Sequence, residues 1–432
     1  MDANWSAIAV LTIVTGIAMY AGRFCFGRWF NPLSLYSAIW GFCLASYELK
    51  LIQYYPISGQ AWAYIILAWL SLFVGAGAAL LLSGTPATKA RQFSIERLKT
   101  AILLLSSLGF IGILSQIWAL QRQFGNVFVA IFVNSVDIYI GRTEGTLSWL
   151  PYVGSSLLAA SALTGIYAAK TGRPSWPMAL PPILTLFQAM LEMARLDLLM
   201  CAVLFLCAYF HTPGRVRFRI SSTQLVFMGT LLASVSVGGV VLVSSVRGLA
   251  VDFPGRTNAI DSITEYAPPF PSFYANFSAP PVAFSLYLAS PDESKNGFWG
   301  EYTFAPVFRV LTKLGLSNSV PRYEENYYTP VDVNTSTYLK NIYSDFGLSG
   351  ILGVPLVLGF GISWLVVHPE SGGAFLGIFI LAYIYMIIIF SFMTLIVVGD
   401  WFVSCAIGIF VCWWAQRQPI RGLVPALNSG AF

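Results

Sequence analysis

The chain has 432 residues, of which 57% are hydrophobic and only 10% charged, with 24 Lys+Arg against 19 Asp+Glu and a formal charge of +5; its mean hydropathy is +0.71. Soluble domains carry about 25% charged residues, and a soluble chain of this length would need two or three such surfaces. A soluble enzyme, a disordered chain and a disulfide-stapled secreted module are excluded, which leaves an all-α polytopic membrane protein.

A bilayer core takes about 20 apolar residues per helix. In chain order, eleven stretches are expected to span: 4–22, 32–50, 61–82, 100–120, 149–169, 176–194, 197–211, 223–246, 347–367, 374–395 and 400–415. The first has no basic n-region and leads into further spans, so it is expected to be a retained helix rather than a cleaved signal. Between the sixth and seventh, Glu192-Met193-Ala194-Arg195-Leu196-Asp197 reads either as a re-entrant turn or as a charged patch inside one hydrophobic hairpin. No internal repeat, of the kind that marks many secondary transporters, is visible.

Thirteen basic residues fall in the short loops of one side: Arg23, Arg28, Lys89, Arg91, Arg97, Lys99, Lys170, Arg173, Arg215, Arg217, Arg219, Arg417 and Arg421. Four fall in the opposite short loops: Lys50, Arg122, Arg142 and Arg195. That bias predicts an outer N-terminus and an inner C-terminus. Dispersed in this way, the basic residues do not form a nucleic-acid surface. The six cysteines lie in or beside apolar runs without metal-ligand spacing, and are expected to be small buried side chains.

One long outer segment, 247–345, divides the chain into an N-terminal bundle (1–246), a loop domain (247–345) and C-terminal helices (346–432). It holds ten acids, seven bases and eighteen aromatics. Flat rings suit either stacking on sugar faces or sitting at a membrane interface. Phe304, Val307, Phe308, Leu311 and Leu314 recur at helical spacing and predict an amphipathic helix. Pro268-Pro269-Phe270-Pro271 and Pro280-Pro281 predict an irregular segment with its aromatics displayed.

Guanidinium groups bind phosphate through a bidentate fork, which makes Arg142, Arg195, Arg247 and Arg256 candidates for a lipid diphosphate head group. For Arg142 and Arg247 the alternative is snorkelling to the interface, and for Arg195 an ion pair with Glu192 or Asp197. Where the loop meets the ninth span, Asn334 is the expected N-cap. Asn334, Thr337 and Asp345 are candidates to bind hydroxyls, and Gly347 and Gly350 permit close helix approach.

The stretch NTSTYLKNIYSDFGLSG (334–350) resembles the Asn-x-x-Thr…Tyr-x-Asp-Phe-Gly-x-x-Gly signature of bacterial oligosaccharide repeat-unit polymerases, the Wzy-type O-antigen polymerases. Glu265-Tyr266-Ala267-Pro268-Pro269-Phe270-Pro271-Ser272-Phe273 is similar to that family's Tyr-…-Pro-x-Phe element, and Ala194-Arg195-Leu196-Asp197-Leu198-Leu199 to its small-Arg-x-x-Leu-Leu element. The resemblance implies a GT-C-like (C-type glycosyltransferase) architecture with one large periplasmic loop of short helices. It implies a multi-pass protein of the bacterial inner membrane that joins undecaprenyl-diphosphate-linked units at the periplasmic face with inversion. A hydroxyl on one unit attacks the anomeric carbon of the other, and undecaprenyl diphosphate departs.

On this reading Arg195, Arg247 and Arg142 stabilise the departing diphosphate. Asp345 leads Glu265 and Glu192 as candidate base. Arg256, Glu265, Tyr266, Asn334, Thr337, Tyr338 and Tyr343 bind the substrate. No Asp-x-Asp pair occurs in the outer loops, and no metal, cofactor or nucleic acid is expected. The implied partners are the lipid-linked oligosaccharide, membrane lipid, a chain-length regulator and a flippase. The alternatives are an O-antigen ligase-like enzyme or a transporter of lipid-linked glycans. The ligases use an outward-facing histidine, whereas His211 and His368 are both expected at inner helix ends.

Overall fold

The computed structural model describes residues 3–83, 94–144, 147, 150, 152–172, 175–192, 196–214, 216, 254–268, 270–290, 300–316, 327–333, 335–368, 375–394 and 401–417. Among them the chain is mostly helical. Four helices are long and apolar enough to cross a membrane: α1 (Trp5–Phe26), α3 (Gly59–Leu82), α4 (Ile95–Phe124) and α14 (Tyr338–Val367). Shorter helices α2 (Pro32–Glu48), α7 (Ser156–Thr171), α8 (Trp176–Glu192), α9 (Leu196–His211), α15 (Leu376–Phe390) and α16 (Trp401–Arg417) complete the bundle. Ten of the eleven stretches expected to span are thus occupied by helix. The eighth, 223–246, lies outside the described residues.

Local chemistry sets the helix ends. The Asn31 carboxamide accepts from Ser34 N at 2.9 Å, with Pro32 at the first helical position of α2, a pairing that supplies one missing backbone partner where proline costs none. Gly27 closes α1 with φ 68°. Asn4 N donates to Glu48 O at 3.0 Å, which makes α1 and α2 an antiparallel hairpin. Only 11% of the most apolar window of α1 is buried, so this helix forms an outer wall. By contrast, every residue of α7 from Ser156 to Ala169 is buried, as a helix apolar all round must be. It is packed among α4, α8, α9 and α16.

The most extensive helix pairing among the described residues joins α3 to α14. A Cβ at Gly75 would strike the backbone carbonyl of Leu356, and one at Gly359 that of Leu72. Two glycines thus let the backbones touch, the packing mode of membrane helices. Gly347 interrupts α14 with φ 56° and ψ −141°. The preceding turns, 338–346, are set off from the apolar run 348–367.

The loop is built onto the α2–α3 connection. It contains α10 (Asn258–Tyr266), α11 (Phe270–Ser278), α12 (Pro280–Ala289), α13 (Ala305–Lys313) and a hairpin of β1 (Tyr327–Tyr328) with β2 (Asp332–Val333), paired Tyr327 to Val333. Gln53 N donates to Gly255 O at 2.8 Å, and Thr257 Oγ1 to Leu51 O at 2.8 Å. Ser58 N donates to Ser285 Oγ at 2.8 Å. Ile52 and Ile260 are fully buried with Tyr274 in a small core between the two segments. The Tyr274 hydroxyl donates to Ser46 O, and burial pushes its pKa up to about 12.

Three expectations are corrected. Residues 270–278 and 280–289 are helical, because Pro271, Pro280 and Pro281 sit in first turns, where a proline forfeits no hydrogen bond. Tyr274, Phe284 and Tyr287 are buried and Phe277 stacks on Phe392 at 5.1 Å, while Phe273 stays exposed. The N-cap of α14 is Thr337, three residues beyond Asn334, which lies outside the described residues. Cys25 is exposed, whereas Cys43, Cys201, Cys207 and Cys412 are buried, and all six cysteines are free. The amphipathic helix expected over 304–314 is present as α13, with Phe304, Val307 and Leu314 still exposed.

Candidate functional site

The bundle has two chemically distinct ends. Arg23, Arg28, Arg97, Lys170 and Arg417 gather at the end away from the loop, where Arg97 Nη1 reaches Ala415 O at 3.4 Å. Glu48, Glu192, Asp197 and Asp345 lie at the loop end. Both histidines belong to the far end. His211 closes α9 and meets Tyr385 OH at 2.9 Å beside Phe30 of the α1–α2 turn, and His368 follows the last residue of α14.

At the loop end the start of α14 is wired into the bundle. Tyr338 N donates to Ser391 O at 2.9 Å, and Trp40 Nε1 to Ser391 Oγ at 2.9 Å. The Tyr338 and Tyr36 hydroxyls meet at 3.0 Å. Tyr338, expected among the substrate-binding residues, is therefore buried in the core and positions α14.

Beyond it a nest of tyrosines surrounds Lys340, which is only 8% exposed. Its Nζ stands 4.8 Å from the Tyr327 ring centre and 5.7 Å from that of Tyr287, geometry in which ring quadrupoles offset part of the cost of burying a cation. Tyr287 OH pairs with Ser344 Oγ at 2.5 Å. Tyr343 lies 5.4 Å from Tyr64 and 6.4 Å from Tyr287.

Asp345 closes the nest just before the Gly347 break, on the loop side of the span. Its Oδ1 accepts from Tyr302 N at 2.9 Å and its Oδ2 from Thr303 N at 2.5 Å, which holds the 300–304 turn over α14. Burial raises the carboxyl above the usual aspartate range, and nearby Glu301 adds to the rise. Bonds from Thr303 and Tyr302 oppose it. Glu301 is itself buried.

Ser336 and Thr337 are fully buried and Asn341 is 4% exposed. Ser336 Oγ, Thr337 Oγ1 and Asn341 Oδ1 have no hydrogen-bond partner. Thr337 occupies the N-cap position without a side-chain cap bond.

The other expected residues sit elsewhere. Arg256 Nε donates to Asp261 Oδ1 at 2.6 Å, and the Arg256 backbone bridges to Ile52. Glu265 and Tyr266 end α10 on the surface, Tyr266 being 90% exposed. Arg142 lies within α6 (Ser135–Glu144), which follows α5 (Val127–Val133); its side chain is outside the described residues, as are Arg195, Arg247 and Asn334.

A second polar cluster lies on α4 and α8. Glu192 Oε1 accepts from Gln116 Nε2 at 2.5 Å and from Gln188 Nε2 at 2.8 Å. Asp197 Oδ1 accepts from Trp401 Nε1 at 3.0 Å. Among the described residues no group of three or more His, Cys, Asp or Glu is placed to hold a metal ion.

Lys340, Tyr287, Tyr327 and Tyr64 were not singled out as site residues from the sequence. They come from four separate segments. Compared with known proteins, the chain matches no family model, no curated protein and no solved structure.

Proposed function

We propose that the chain is a membrane glycosyltransferase. It polymerises undecaprenyl-diphosphate-linked oligosaccharide repeat units, of O-antigen or a related surface polysaccharide, at the periplasmic face of a bacterial inner membrane. In this reading eleven helices span the bilayer in a GT-C-like arrangement and the loop end faces the periplasm. A sugar hydroxyl of one lipid-linked unit attacks the anomeric carbon of the other. The new glycosidic bond forms as the bond to the diphosphate oxygen breaks, with inversion. The hydroxyl proton passes to Asp345, and the electron pair leaves with undecaprenyl diphosphate, whose charge Arg195, Arg247 and Arg142 stabilise.

The observation that carries the reading is the setting of Asp345. It is a carboxylate held by two backbone N–H groups, raised by burial, and flanked by tyrosines suited to sugar rings. A base of this kind gains from a pKa moved toward the working pH. Both histidines lie at the opposite end, which favours a polymerase over a ligase that relies on histidine.

Glycan chain-length analysis tests the reading. With Arg195→Ala protein present in the membrane, lipid-linked material is expected to stop at single repeat units. An unchanged ladder would remove the catalytic assignment.

A further inference from the structure

We infer that the start of α14 is a buried binding site for a phosphate oxyanion, formed by Ser336, Thr337, Lys340 and Asn341. The inference rests on the proposed function only for the identity of the phosphate compound, the diphosphate head group of a lipid carrier.

Buried polar side chains are nearly always paired, yet three within six residues here are not: Ser336 Oγ, Thr337 Oγ1 and Asn341 Oδ1. Their residues are 0%, 0% and 4% exposed. Thr337 is the N-cap of α14, but its hydroxyl does not cap the helix. Asn341 stands one turn further on, on the same face. Which amide atom of Asn341 points inward is an assignment, since oxygen and nitrogen exchange on a flip. The side chain therefore offers a donor as readily as an acceptor.

The charge of the site selects the ligand. The positive end of a helix dipole meets the group at Thr337, and 338–346 supplies nine residues of helix before the Gly347 break. Lys340 adds an ammonium that is 8% exposed and held between the rings of Tyr287 and Tyr327. Two hydroxyls, an amide and an ammonium at a helix N-terminus are a donor set for an oxyanion. A metal cation would be repelled by Lys340. Thr335 and Tyr343, on either side in sequence, are half-buried, which places the group just beneath the surface of the loop end.

The test uses the full chain in lipid nanodiscs. One arm adds undecaprenyl diphosphate to the disc and the other adds inorganic pyrophosphate to the buffer; ligand-induced rise in melting temperature is read in both. Wild type is expected to be stabilised by undecaprenyl diphosphate. Stabilisation by pyrophosphate as well assigns recognition to the oxyanion itself, and stabilisation by the lipid alone assigns it to the lipid-borne head group.

Thr337→Val and Lys340→Met are each expected to weaken binding by about tenfold or more. Thr337→Val fills the same volume and removes an unpaired hydroxyl, so without ligand it should melt no lower than wild type. That combination of intact stability and lost affinity is not produced by a packing role. Equal affinity in wild type and Thr337→Val, or no stabilisation of wild type by either probe, overturns the site. Loss of binding in the variants of a protein that polymerises nothing would leave the site standing and remove the glycan reading instead.

Discussion

The break in α14 has a cost that one substitution isolates. Gly347 adopts φ 56° and ψ −141°, a conformation that residues with a side chain enter only under strain. A Cβ placed there meets no atom within 4 Å. Gly347→Ala therefore adds backbone strain without a clash, about 1–3 kcal/mol. Gly353 provides the control on the same helix: it is helical, and a Cβ there also meets nothing within 4 Å. Gly353→Ala should stabilise by up to about 1 kcal/mol, since alanine is the better helix former. The two variants are expected to differ by roughly 1–4 kcal/mol and to fall on opposite sides of wild type. Equilibrium unfolding in mixed micelles reads the difference. If Gly347→Ala were as stable as Gly353→Ala, the chain would run through residue 347 as unbroken helix, and the placement of Tyr343 beside Tyr64 would fail with it.

Asp345→Asn keeps one acceptor but turns an amide donor toward a backbone N–H. It is expected to release the 300–304 turn, read as faster hydrogen exchange at Tyr302 and Thr303, with a loss of about 1–3 kcal/mol; unchanged exchange would contradict the clamp. Because burial raises the Asp345 carboxyl, it takes up its proton at a higher pH than an ordinary aspartate. Activity that needs its carboxylate form should therefore decline, as pH falls, earlier than that group's usual range; a profile flat through mildly acidic pH would count against Asp345 as base. The Tyr36–Tyr338 hydroxyl pair predicts non-additivity. Each single Tyr→Phe change leaves a buried hydroxyl unpaired, at about 1–3 kcal/mol, so the double variant should cost less than the sum of the two. Additive losses would mean that the hydroxyls do not interact.

Hydropathy made the bundle legible, because a run of apolar residues long enough to span is a strong local signal. The α13 helix was legible for the same kind of reason, through the spacing of Phe304, Val307, Phe308 and Leu311. The helices that open at Pro271 and Pro280 are not legible in the sequence, because proline breaks a helix interior but opens a helix readily, and position within the element is not visible in composition. The motif residues were located by sequence, but not their tasks. Tyr338, a binding residue by its motif position, is bonded to Tyr36 instead, while Lys340, which has no marked place in the motif, lies at the centre of the nest. Tyr287 beside Lys340 and Tyr64 beside Tyr343 are far away in the chain, and pairing across such distances is set by the packing of α3, α12 and α14. The glycines that allow this packing, Gly75 and Gly359, have no local pattern that tells them from the other glycines.

Polymerisation itself is most directly tested by reconstitution. The purified full chain is placed in liposomes with lipid-linked oligosaccharide extracted from cells that lack the protein, and the glycan is sized by electrophoresis after acid release. A ladder of repeat units from wild type, collapsing to single units with Asp345→Ala, is the result expected here. Single units from wild-type protein that remains folded by its melting transition would contradict the assignment.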